Sequence, residues 1–142
     1  MKKVVLLIAL LLSSLTFQSQ IVTPQPSPKC VLNQMVGLTD VEIEYSRPGL
    51  KGRNIFGDLV PFGNVWRTGA NSNTTISFSE DVVIDGKTLK KGKYALFTLP
   101  KVESWEVIFY SKTDNWGTPE DWNEADVALR ASVVPQMLNK NV

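Results

Sequence analysis

Three observations predict a mainly β fold for this chain, an antiparallel sandwich or a partly open barrel with an irregular glycine-rich centre. Apolar residues recur with period two, short turn signals separate the runs, and no segment carries a convincing 3.6-residue stripe. Strands joined by short turns over roughly 100 residues belong to a single antiparallel domain.

Each element can be justified in chain order. Residues 1–20 read as a secretory signal peptide: Lys2 and Lys3 precede nine unbroken apolar residues from Val4 to Leu12, and small polar residues follow. That core falls far short of the roughly 20 residues needed to span a bilayer, and no later segment approaches it. Residues 21–28 form a leader in which Pro24, Pro26 and Pro28 favour an extended, unpaired backbone. The domain, 29–142, opens at Lys29.

Val41, Ile43 and Tyr45 alternate with Glu42, Glu44 and Ser46, and Ile76 and Phe78 alternate with Thr75, Ser77 and Ser79, as half-buried strands require. Val82 to Ile84, the Asp85-Gly86-Lys87 turn and Thr88-Leu89 read as a tight hairpin. Lys90-Lys91-Gly92 turns into Lys93 to Leu99, a strand apolar on both faces and therefore central. Trp105, Val107 and Phe109 set one face of the next strand, and a last strand runs from about Asp126 to Val134. Pro119 to Ala125 is the one candidate helical turn, with Thr118 as its N-cap.

Composition excludes much chemistry. Histidine is absent, which removes Ser-His-Asp triads, Cys-His pairs and histidine metal sites. Cys30 is the only cysteine, so no intrachain disulfide forms. It follows Ser27-Pro28-Lys29 rather than a small apolar lipobox, which favours burial on the first strand over lipid attachment. Loss of residues 1–20 takes Lys2 and Lys3 and no acid, changing the formal charge from +1 to −1. A near-neutral chain with four arginines gives no electrostatic footprint for nucleic acid.

Five of the nine glycines lie between Gly49 and Gly69, interleaved with aromatic and aliphatic residues, which means tight turns rather than a flexible linker. Arg47, Arg53 and Arg67 bracket the segment. No phosphate-loop template is matched. Two readings stay open. The arginines and Asn71 converge on an anionic or hydroxyl-rich ligand, or they pin the segment by bonding loop carbonyls, Asp58, Glu42 or Glu44.

Pro26-x-Pro28, Tyr45-Ser46-Arg47-Pro48, Lys51-Gly52-Arg53, Ile55-Phe56-Gly57, Leu59 to Gly63 and Val65 to Asn71 closely resemble the signature of the exported bacterial family of domain of unknown function 2911. Gly92-Lys93-Tyr94, Trp105, Trp116-Gly117 and Asp126 to Arg130 resemble family positions too. The resemblance covers nearly all of the chain beyond the leader. It implies a predominantly β, envelope-associated or secreted protein, and it carries over no catalytic residue. Relatives continue past the equivalent of Pro135 with further β-forming sequence, so the resemblance implies a missing terminal strand here. A fragment, a truncated product and a minimal version all fit that departure.

Five carboxylates and two tryptophans crowd Asp114 to Asp126. They could hold a hard cation or stack a sugar, but the spacing does not fit an EF-hand, and a solvated loop whose tryptophans close the core is the default. Asn73-Thr74-Thr75 matches a glycosylation sequon by pattern and reads as a strand start.

These readings predict an exported, periplasmic or secreted domain of the cell envelope that binds or supports rather than catalyses, with no cofactor, metal or catalytic residue. Its partner would be a small anionic or hydroxyl-rich ligand or an envelope protein. The candidate ligand-binding residues are Tyr45, Arg47, Arg53, Trp66, Arg67 and Asn71, with Trp66 as a stacking wall. The rival is a carboxylate-dependent hydrolase acting on envelope sugars or peptides.

Overall fold

A computed structural model describes residues 23–136. The signal peptide expected over residues 1–20 lies outside that range, as do residues 137–142 of the tail that follows Pro135.

Eight strands follow in order: β1 (Lys29–Val36), β2 (Thr39–Ser46), β3 (Thr75–Phe78), β4 (Val82–Ile84), β5 (Lys87–Leu89), β6 (Gly92–Pro100), β7 (Trp105–Tyr110) and β8 (Val127–Val133). Six form one antiparallel sheet in the order β1-β2-β3-β6-β7-β8, and β4 and β5 pair as a separate hairpin. β1 and β8 lie at opposite edges, so the sheet is open and not a closed barrel. Every predicted strand is present, and β6 is central because residues alternate between two buried faces.

Register sorts those faces. Tyr94 and Leu96 of β6, Val107 and Phe109 of β7, and Leu129 and Ala131 of β8 share one face, where Leu89, Val82 and Ile84 of the hairpin close over them. Ala95, Phe97 and Leu99 of β6 and Ile108 and Tyr110 of β7 point the other way and pack with Val65, Trp122 and Val127. A register shift between Phe109 and Tyr110 is what lets Val127 join the second face while Leu129 stays on the first.

Two expectations are corrected. The helical turn is a 3-10 turn at Glu124–Asp126, capped by Asn123, whose side-chain oxygen accepts from the Ala125 N–H at 3.1 Å. It starts late because Asn123 offers a stronger local acceptor beside the turn than Thr118, whose hydroxyl faces the Val65 carbonyl instead. Cys30 is half-buried on an edge strand rather than fully enclosed. The proline-rich leader enters no strand over residues 23–28, and its last carbonyl, that of Pro28, accepts from the Arg47 N–H at 2.9 Å.

Of the two tryptophans in the acidic loop, Trp122 closes the core, stacked on Tyr110 at 4.5 Å and edge-on to Phe97 at 5.2 Å. Trp116 instead stays 73% exposed. The difference arises because Trp122 finds a partner for its ring N–H in Glu124 at 2.8 Å, at the rim of the core.

Candidate functional site

The glycine-rich segment folds onto the end of the sheet left uncovered by the β4–β5 hairpin. Trp66 bridges Thr98 through both backbone groups (2.7 and 2.9 Å), occupying the place beside β6 that β3 vacates. Because Thr98 has the parity of Tyr94 and Leu96, the register puts Trp66 on the hairpin's side of the sheet. There Phe56 packs edge-on to Trp66 at 5.7 Å and to Trp105 at 4.5 Å.

Between this segment and the leader lies a cavity of about 850 Å³. Lys51, Arg53, Arg67 and Asn71 line it together with an apolar wall of Leu50, Ile55, Phe56, Leu59, Val60 and Trp66. Pro26 and Ser27 of the leader and Thr118 of the acidic loop complete its margin. No carboxylate lines it among the described residues.

Four of the six candidate residues therefore come together at one cavity: Arg53, Trp66, Arg67 and Asn71. Tyr45 and Arg47 are not among its lining residues. Tyr45 faces Cys30 across β1 and β2, and that neighbouring thiol holds its phenol above the ordinary value. Arg47 is exposed at the end of β2.

The arginines divide between the two readings left open by the sequence. Arg53 pins its own loop, donating from Nε to Leu50 at 3.1 Å and from Nη2 to Gly49 at 2.7 Å. Arg67 is fixed only through Nε, which donates to the Gly69 carbonyl at 3.3 Å. Its Nη atoms have no protein hydrogen bond among the described residues, and neither is sealed from solvent. Nor does Lys51, Arg53 or Arg67 form an ion pair among those residues. Glu44, one of the acids considered as an internal partner, is taken by Lys29 at 2.9 Å and held below the ordinary glutamate value by that contact.

Backbone strain gathers at the same place. Lys51, Thr68 and Asn71 have φ of 50°, 57° and 61°. For a β-branched residue such as Thr68 this is costly, by order 1–3 kcal/mol. Hydrogen bonds offset it: the Thr68 hydroxyl donates to the Trp66 carbonyl at 3.2 Å, and its own carbonyl accepts from the Thr74 hydroxyl at 2.8 Å. Asn71 donates to the Ser27 carbonyl at 3.4 Å, tying the leader to the cavity.

A family model described as a protein of unknown function (DUF2911) matches residues 27–142. The chain belongs to the DUF2911 family. That match begins at Ser27, the leader residue pinned by Asn71. No curated protein and no solved structure matches the chain.

In this DUF2911 protein, sequence reasoning found Trp66 but missed Lys51 and the rest of the apolar wall. The Lys51-Gly52-Arg53 pair of cations and the aliphatic residues between the glycines were the available signals. Thr118 had none, because only the fold brings the acidic loop to this margin. Asn73 was legible as a strand start, and its buried amide, assigned with the nitrogen turned toward them, donates to the carbonyls of Gly117 and Asn115 at 2.7 and 2.9 Å. That clasp holds the Trp116-Gly117 turn beside Arg67.

Proposed function

We propose that this protein is an exported, non-catalytic binding domain of the cell envelope, and that its cavity receives a small anionic ligand. One observation carries the binding reading: three cationic side chains line one cavity, with no carboxylate beside them among the described residues. Such a site favours an anion electrostatically, and among the described residues the Nη atoms of half-buried Arg67 lack the partners an arginine normally finds in a protein. The basic start and apolar run of residues 1–20 support export.

The hydrolase reading has no comparable support. Catalysis by paired carboxyls needs one held protonated near neutral pH. Every carboxyl with a resolved shift, Glu44, Asp81, Glu106 and Glu124, is instead pulled below its ordinary value, chiefly by a hydrogen bond to a lysine or arginine.

Thermal unfolding in the presence of small carboxylates and phosphates tests the binding reading. A ligand at a hundred times its Kd adds about 2.7 kcal/mol, enough to raise Tm by several degrees in a domain of this size. Stabilisation by anions, weakened in Arg67→Ala, is expected; equal stabilisation of the variant would defeat the assignment. Export is checked by fractionating cells and sequencing the N-terminus of the protein, which should lack about 20 residues.

A further inference from the structure

Building on the anion-binding reading, we infer that the ligand is an amphiphilic carboxylate, an acid head on a long alkyl body. Three independent features of the cavity point to it.

The first is size. At about 850 Å³ the cavity falls in the range that encloses a drug-sized molecule. A bare anion of a few atoms would leave most of that space to water against an apolar wall.

The second is the wall. Leu59 is 55% exposed, and Leu50 and Phe56 are also open to solvent, although all three border the cavity beside Ile55, Val60 and Trp66. Contiguous apolar surface of this kind, next to cations and inside a concavity, is satisfied by an apolar ligand body. The edge-on contacts of Phe56 with Trp66 and Trp105 hold that surface in place before any ligand arrives.

The third is the geometry of Arg67. Its Nε is committed to the Gly69 carbonyl, and Nη1 rests near Gly117, 3.2 Å from where a Cβ would stand. With one end of the guanidinium held, the two Nη groups present parallel N–H donors, a fork that matches the two coplanar oxygens of a carboxylate. Lys51 and Arg53 add positive charge without such a fork, since Arg53 already engages two loop carbonyls.

Isothermal titration of the full chain with dodecanoate below its micelle concentration, octanoate, acetate, dodecan-1-ol and inorganic phosphate tests the inference. Affinity should rise by up to about fourfold per methylene from acetate towards dodecanoate. Dodecan-1-ol, lacking the charge, should bind about ten- to a hundredfold more weakly than dodecanoate. Arg67→Ala should bring dodecanoate down to the level of the alcohol, and Arg67→Lys, which keeps the charge and loses the fork, should not restore it. Leu59→Ser, at an exposed position where folding is little disturbed, should weaken dodecanoate several-fold more than it weakens phosphate, and an equal loss of both would overturn the alkyl body. If acetate or phosphate binds as tightly as dodecanoate, the amphiphile is overturned while the anion site stands. Equal binding of the alcohol and the acid overturns the carboxylate head. Failure of every anion to bind overturns both readings together.

Discussion

Arg67 shows how much a single side chain depends on a distant turn. The Asn73 amide clasps the Gly117 and Asn115 carbonyls, and Gly117, at φ +86°, lets Arg67 pack against its bare Cα. An alanine there meets both the left-handed backbone and a 3.2 Å contact with Nη1. Gly117→Ala should therefore cost about 1–3 kcal/mol and displace the guanidinium. Urea denaturation and anion titration on the same variant measure the two effects. Arg67 was legible in the sequence as one of three clustered arginines. That its Nη atoms bond to none of the described residues while Arg53 turns back on its own loop was not, since both belong to similar glycine-rich surroundings and only their neighbours in space differ.

At the scale of elements, the short β4–β5 hairpin has little pairing of its own and depends on packing. Its anchor is Leu89, 2% exposed among Tyr94, Phe109 and Leu129. Leu89→Ala should lower stability by about 2–5 kcal/mol, read as a lower urea midpoint, because neighbouring strands cannot collapse into the gap. On the opposite face the acidic loop has the equivalent plug in Trp122. Trp122→Ala should cost about 3 kcal/mol and weaken the near-ultraviolet circular dichroism of the Tyr110 stack. The hairpin was readable because Asp85-Gly86 between apolar runs is a local signal. The choice of Trp122 over Trp116 was not, because both sit in similar acidic, turn-rich sequence and only the rim of the core distinguishes them.

Across the whole molecule, a charged network ties the far edge together. Glu106 of β7 meets Lys101 at 2.6 Å and Arg130 of β8 at 3.0 Å, and Arg130 also grips Glu124 of the 3-10 turn at 2.7 Å. The Lys101 contact first, and then Arg130, holds Glu106 below its ordinary value. A carboxyl whose folded value is depressed stabilises the fold above its unfolded value and loses that contribution as pH falls through the folded value. Glu44, Asp81 and Glu124 act in the same direction. Stability should thus decline as pH drops below about 4, and Glu106→Gln should flatten that decline while costing under about 1 kcal/mol at neutral pH. Urea midpoints measured across pH 3 to 7 check the sign.

By itself the sequence determined the strand set, the central place of β6, the hairpin, the family and the concentration of arginine and glycine at one segment. Each of these rests on local periodicity, turn chemistry or a contiguous motif, which a linear chain displays directly. Tertiary structure alone decided that the sheet stays open, that Arg53, Trp66, Arg67 and Asn71 share a cavity while Tyr45 and Arg47 do not, and that the leader and the acidic loop form its margin. Those outcomes depend on which residues far apart in sequence meet when both faces of one sheet are covered, and burial of that kind has no signature in neighbouring residues.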